Sequence, residues 1–338
     1  MNSVSETMRR DAARPRRRQQ SHRLYKSPRL NADMSCEEAF RLIARNCLKD
    51  LEANQEGTCG GDDEALHQMR IALTRLRAAR RFFAPFVSEP EWGRLKDEFR
   101  WLNKHLSAAR DMDVTIKELR SKGGGQREES SLHQAWLDSS MTSHHDLNQA
   151  LLSERYRVLV REASLWVEKG QARPAQDNPE DNPQDDPQGE MPSEREDSSS
   201  VAPYAARTLS RWHKKLLKDS RSLGDMGRDE RHQLRIRGKR LRYAIEFFSS
   251  LFQAENSSRD KLKSRDDLLK CLRKIQKSLG QLNDIEQGRS IAATLRAVPS
   301  ERMKDHPFYS SSRKIEKRMI KAARTAFREM EEVEPFWA

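Results

Sequence analysis

Two stretches of the chain carry histidine and arginine at matching intervals. The first runs His67-Gln68-Met69-Arg70-Ile71-Ala72-Leu73-Thr74-Arg75-Leu76-Arg77-Ala78-Ala79-Arg80-Arg81-Phe82-Phe83. The second runs from His232 to Phe248, and His, Gln, Arg, Ile, Arg, Leu, Arg, Phe and Phe recur at the same offsets, shifted by 165 residues. Such agreement marks an internal duplication. At about 100° per residue both stretches read as amphipathic helices. Met69, Leu73, Leu76 and Phe83 share one face, as do Leu234, Leu241, Ile245 and Phe248. The opposite faces hold His67, Arg70, Thr74, Arg77 and Arg81, and His232, Arg235, Lys239, Arg242 and then Glu246. The matched basic pair Arg75 and Arg240 joins the candidate set.

A solvated helix face mixes signs, because i,i+4 pairs of opposite charge stabilise it. The first stripe contains no acid, and its arginines repel one another. Both copies keep that cost, and its simplest use is an external polyanion gripped by guanidinium forks. Composition agrees. The chain has 338 residues, net charge +12 and 34% charged residues. The charge is uneven: residues 1–33 hold nine Arg/Lys against three acids, and residues 171–200 hold two Arg against nine acids. The remainder is strongly basic, which implies an anionic partner. Charge alone leaves nucleic acid, phosphate polymer and anionic lipid open as its class.

The elements that must position these stripes are helical. Ser35 before Glu37 and Glu38 predicts an N-cap, and Phe40, Ile43, Cys47 and Leu51 give the first core stripe. Gly57 to Gly61 breaks that helix, and Asp62 or Asp63 caps the one bearing His67. Pro85 and Pro90 bracket a turn. Leu95, Phe99, Leu102, Leu106 and Ala109 then align on a third helix. Leu268, Leu272, Ile275, Leu279 and Leu282 echo them, shifted by 173 residues, which implies a longer loop near 254–259. Opposite these apolar rows lie Arg100 and Lys104, matched by Arg273 and Lys277. They are second-tier ligand candidates for which a solvated face is the simpler reading. A helical stretch is expected from Ser131 to Lys169, after Gly123-Gly124-Gly125. Helices resume at Pro203, with a basic strip at Arg207, Arg211, Lys214, Lys215 and Lys218. The last helix, about Ser312 to Met330, carries Arg313, Lys314, Lys317, Arg318, Lys321, Arg324 and Arg328, with Phe336 and Trp337 expected to tuck onto the bundle end.

The repeated H-x-x-R with R-L-R and following aromatics resembles the CHAD family (conserved histidine α-helical domain). Leu106-Ser107-Ala108-Ala109-Arg110-Asp111-Met112-Asp113-Val114 is similar to the family's L-G-x-x-R-D-x-D-V segment. Leu279-Gly280-Gln281-Leu282-Asn283-Asp284 and Lys239-Arg240-Leu241-Arg242-Tyr243 are similar to its second-half motifs. The resemblance covers roughly residues 35–170 and 203–330. It implies an all-α fold: duplicated four-helix bundles related by pseudo-twofold symmetry around a basic groove or pore. It also implies inorganic polyphosphate as the ligand, and association with polyphosphate granules as a family-level expectation. The chain then divides into a basic arm (1–33), a first helical half (34–170), an acidic linker (171–202) and a second helical half (203–338). The arm and linker are expected to be disordered, because neither has apolar periodicity. The arm either adds loose polyanion contacts or merely solvates, and its basic, acid-poor character also fits a transit peptide.

Catalytic signals are absent: no Gly-rich phosphate loop, H-E-x-x-H, paired cysteine or G-x-S-x-G. CHAD domains are often fused to a triphosphate-tunnel domain marked by E-x-E-x-K, and the one near match, Glu194-Arg195-Glu196, continues with Asp197 and Ser198 and lacks the lysine. The chain is therefore expected to bind and not to turn over, with no cofactor. Asp111 and Asp284 are expected to orient arginines or cap helices rather than hold metal. His144 and His145 are adjacent, so they point to different sides of a helix, which argues against a metal site. Few aromatics flank the Arg stripe, which disfavours single-stranded nucleic acid. A nucleic-acid-binding helical protein, or an accessory module of a phosphate-processing enzyme, remain the alternative readings. Cys36, Cys47, Cys59 and Cys271 have no paired spacing, so free thiols in a reducing cytoplasm are expected. No apolar run reaches the ~20 residues of a membrane span.

Overall fold

Amphipathic periodicity becomes helix throughout the computed structural model, which describes residues 23–87, 89–122, 131–169, 200–252, 259–294 and 312–338. The helices are α1 (Cys36–Ala53), α2 (Gln55–Cys59), α3 (Asp63–Phe82), α4 (Glu89–Lys122), α5 (Ser131–Leu152), α6 (Glu154–Lys169), α7 (Val201–Ser220), α8 (Arg228–Phe248), α9 (Arg259–Thr294) and α10 (Ser312–Glu331), with a short 3-10 turn at Ala84–Phe86. Among the described residues β pairing is confined to the isolated bridge between Ser35 and Ser200. The protein is all-helical. No helix among the described residues is long and apolar enough to cross a membrane.

Local chemistry sets the helix starts. The Ser35 hydroxyl accepts from Glu38 N at 3.2 Å, and the Glu38 carboxylate accepts from Ser35 N at 2.9 Å, which closes a capping box before α1. Gly61, at φ 78°, turns the chain back, a conformation that suits a residue without Cβ. Asp62 then accepts from Glu64 N and Ala65 N and starts α3. The expected helical stretch from Ser131 to Lys169 is two helices, because Ser153 interrupts it. Its hydroxyl donates to Ala150 O at 2.7 Å and accepts from Tyr156 N at 3.2 Å, which supplies a stop and a start together.

The apolar faces read from the sequence are buried. Met69, Leu73, Leu76 and Phe83 lie in the core, as do Leu234, Leu241, Ile245 and Phe248, each contributing about 1.5–3 kcal/mol. The Leu95 to Ala109 row and the Leu268 to Leu279 row are buried too, while Leu282 packs only partly. The aromatic pairs that end the two repeats meet one another. Phe82 and Phe248 have ring centroids 4.6 Å apart, and Phe83 stacks on Tyr204 of α7 at 6.0 Å. The Tyr204 hydroxyl donates to Phe82 O at 2.6 Å. The junction between halves is thus built from the C-terminal ends of α3 and α8 plus the start of α7. Phe336 and Trp337 do tuck under the bundle, with Trp337 Nε1 donating to Ser210 Oγ at 3.1 Å.

Two boundaries differ from the sequence reading. Residues 23–33 are not a free arm. Asn54 exchanges hydrogen bonds with the Arg23 backbone at 3.0 and 3.1 Å, and Arg23 pairs with buried Asp50 at 2.7 Å. Leu30 is buried, and its N–H reaches Ser250 Oγ at 2.9 Å. A strap too short to show periodicity is therefore held by backbone bonds and one leucine. Ser200 to Ala202 likewise belong to the folded part: Val201 opens α7, and its N–H donates to Met34 O at 2.9 Å. Residues 1–22, Gly123 to Gly125, the 171–199 linker and the loop at 254–258 lie outside the described residues.

Candidate functional site

The first stripe projects from α3 toward α4 and α8. Arg70 meets Asp111 of α4 at 3.3 Å. Its counter-charge comes from a neighbouring helix, which explains why the stripe needs no acid of its own. Asp111 thus orients an arginine, as expected. Arg77 Nη2 donates to the Phe99 carbonyl at 3.2 Å, so this guanidinium is braced against α4. His67 is half-buried, and burial pushes its pKa down. Arg110 pushes the same way, Glu64 opposes, and Arg70 and Lys239 add to the depression. The Lys239 contribution is informative, because Lys239 stands on α8 of the other repeat.

The second stripe is set differently. His232 is exposed, and its Nδ1 lies 2.8 Å from Asn283 Oδ1 on α9. As the carboxamide oxygen only accepts, Nδ1 carries the proton and Nε2 faces outward. Arg235 lies along Gly280 of α9: a methyl there would stand 3.7 Å from Arg235 Nε. Gln276 Nε2 of α9 donates to the Gly238 carbonyl at 3.2 Å. With the third-helix shift of 173 residues, Asn283 corresponds to Arg110. The repeats have thus diverged at one contact: His232 has a neutral acceptor where His67 has a cation.

Three expected site residues are placed elsewhere than on an open cationic surface. Arg75 is buried, pairs with Glu246 of α8 at 2.9 Å, and lies 3.8 Å over the Tyr25 ring and 5.1 Å from that of Tyr243. It is a joint between the repeats. At 100° per residue it points away from the His67–Arg81 stripe, and this corrects its assignment as a ligand. Arg242 shares the same carboxylate at 2.9 Å and lies 4.6 Å from the Tyr243 ring, so its charge is partly committed. Arg100 pairs with Asp97 on its own helix at 2.7 Å. Arg81 and Arg240 are half-exposed, and Lys104, Arg273 and Lys277 are exposed. Sequence reasoning missed Arg110 as a neighbour of His67, although its place in the repeated motif was visible. It also missed Glu246 as a shared counterion, which its i,i+4 spacing from Arg242 signals in part, and Tyr25 as an arginine platform, which no local pattern signals. Among the described residues no His, Cys, Asp or Glu cluster has the arrangement to hold a metal. His144 instead pairs with Asp113 at 2.8 Å, and that hydrogen bond raises its pKa.

An all-helical chain with a duplicated histidine- and arginine-bearing helix packed at its centre is the class that these features define. The CHAD domain pattern matches residues 42–293, and the chain belongs to the CHAD family. No curated protein matches it significantly. The chain is similar to the crystal structure of the CHAD domain from the plant Ricinus communis, at 26% identity and a TM-score of 0.67, over 91% of this chain and 96% of that one. It also shares its fold with PptA from Streptomyces chartreusis, at 11% identity and a TM-score of 0.54, over 88% of this chain and 99% of that one.

Proposed function

We propose that the protein binds inorganic polyphosphate, without turning it over, along the cationic faces of α3 and α8 and the parts of α4 and α9 beside them. The observation that carries this reading is the packing of the two copies on each other, Arg75 of α3 meeting Glu246 of α8 at 2.9 Å and Phe82 meeting Phe248 at 4.6 Å, so that both basic helices belong to one packed unit. A polymer with about one negative charge per phosphate offers no bases to read. Its recognition requires many cations on rigid supports, and helices that pack through a common core provide them. His67, Arg70, Arg77, Arg81, His232, Arg235 and Lys239 form the inner set, and Arg242 and Arg240 flank it. Lys104, Arg273, Lys277 and Arg100 are the outer set. Arginine forks span two phosphate oxygens, and His232 Nε2 donates to phosphate when the ring is protonated. Each charge-assisted contact contributes on the order of 1.5–3 kcal/mol. Free thiols at Cys36, Cys47, Cys59 and Cys271 suit a reducing compartment, and a cytoplasmic, granule-associated place follows from the ligand.

The test is competition. Long-chain polyphosphate, duplex DNA and RNA are compared at matched charge concentration and salt. Polyphosphate is expected to displace both nucleic acids. Displacement in the opposite order returns the cationic faces to nucleic-acid binding. Phosphate release from the polymer would overturn the non-catalytic part of the reading.

A further inference from the structure

The last helix carries a cationic stripe that the reading above does not use. Lys314, Lys317, Lys321, Arg324 and Arg328 are all exposed. At 100° per residue they fall within an arc of about 80°, and at 1.5 Å per residue they span about 21 Å. Between residues 314 and 328 the sole acid is Glu316, on another face, and it is paired with Arg231 at 2.6 Å. Glu329 is turned inward to Lys274 at 2.5 Å. Lys314, Lys317, Lys321 and Arg328 form no ion pair with a described residue. Arg324 is laid over the turn after α7, where Gly224 leaves room for its guanidinium. The buried side of α10 is ordinary core: Met319, Ala323, Ala326, Phe327 and Met330. The stripe adds no exposed large apolar side chain, so a lipid surface that needs insertion fits it poorly, and it has no aromatic platform for unpaired bases.

Its position matters as much as its charge. The Arg231–Glu316 pair pins the start of α10 to the start of α8, one residue before His232. The segment that follows α10 is tied to the start of α9, Ser264 Oγ donating to the Glu334 carbonyl. The start of α10 thus lies near the start of α8, and from that end the stripe runs along the solvent side of the second half.

We propose that this stripe is an exit track: a polyphosphate chain too long for the α3–α8 faces continues past His232 onto α10. Chain-length preference then resides in Lys314, Lys317, Lys321, Arg324 and Arg328, while short chains use the inner set alone. This inference rests on the polyphosphate reading and adds where selectivity for length comes from.

The experiment uses the full chain with Lys317, Lys321 and Arg328 replaced by Gln. A control carries the same charge loss on the opposite half, at Lys49, Arg161 and Lys169. Affinities for polyphosphate of about a dozen phosphates and of several hundred are measured across a salt series, with circular dichroism as a check on helix content. The α10 variant is expected to lose long-chain affinity on the order of tenfold at low salt, as for several exposed charge contacts. Its salt slope should fall by roughly two, from fewer released counterions. Short-chain affinity and the control should match wild type. Equal loss for both lengths, equal loss in the control, or no loss at all overturns the exit track while leaving polyphosphate binding intact. Loss of duplex DNA binding with long-chain polyphosphate unaffected assigns the stripe to nucleic acid and overturns it as well. Failure of wild type to bind polyphosphate of either length overturns the underlying reading, and the track with it.

Discussion

Arg75 of α3 and Glu246 of α8 stand 2.9 Å apart, each from a different repeat, and both are largely withdrawn from water. Arg242 shares the same carboxylate at 2.9 Å. Tyr25 of the N-terminal strap covers the Arg75 guanidinium at 3.8 Å and meets Phe247 edge-on at 6.3 Å. One carboxylate thus serves two arginines at the seam and leaves one positive charge uncompensated by it, and Tyr25 of the strap covers Arg75. Removing Glu246 leaves two partly buried cations close together. Glu246→Gln is expected to destabilise the fold by about 3–5 kcal/mol, the cost of breaking a buried pair, measured by urea unfolding. Wild-type stability in this variant would show that the seam is held by the aromatic cluster alone.

The strap itself is a stability element. Leu30→Ala removes a buried leucine and is expected to cost about 2–5 kcal/mol, although the residue precedes α1. Unchanged thermal unfolding would return residues 23–33 to the role of a free arm.

The matched arginines are expected to act alike in binding. Arg70→Ala and Arg235→Ala should each weaken polyphosphate affinity by on the order of 1.5–3 kcal/mol, with helix content unchanged. Titration calorimetry at fixed salt checks this. Full affinity in both variants would make the stripes solvated faces.

His67 is expected to make binding depend on pH. The pKa of His67 is lowered first by burial and then by Arg110, so in the free protein it is neutral at pH 7. A bound polyanion favours its charged form. Affinity should therefore rise as pH falls through and below the ordinary histidine range near 6.5. His67→Gln should remove the part of that rise that lies below this range. Identical pH profiles for wild type and His67→Gln would make His67 purely structural.

Stability should also carry opposing histidine contributions. The pKa of His144 is raised, first by its bond to Asp113. Its contribution is fully present below about pH 6.5 and is lost as pH rises through the raised value. His213 is buried against Trp337 and its pKa is lowered by that burial. Protonating it disfavours the fold, so stability is full above about pH 6.5 and falls as pH drops through that region. His144→Asn should flatten the loss on the alkaline side, and His213→Phe should flatten the loss on the acid side. Unfolding midpoints between pH 5 and 8 decide both.

Local pattern determined much of this protein. The 3.6-residue periodicity placed the buried faces of α3, α4, α8 and α9, because a helix hides its apolar side whatever it packs on. Ser35 and Asp62 showed their caps, since a cap is satisfied within four residues. The repeat at His67 and His232 marks the duplicated basic helices in the sequence itself. The tertiary structure alone decided which cations are available. Arg75 and Arg77 are both basic and two residues apart, yet one is buried against Glu246 and the other braced on the Phe99 carbonyl. Their partners lie 171 and 22 residues away, beyond the reach of helical spacing. The same holds for His67 and His232, alike in motif but unlike in setting, because Arg110 and Asn283 approach from other helices. Charge type is written along the chain, whereas burial and counter-charge are properties of the packed interior.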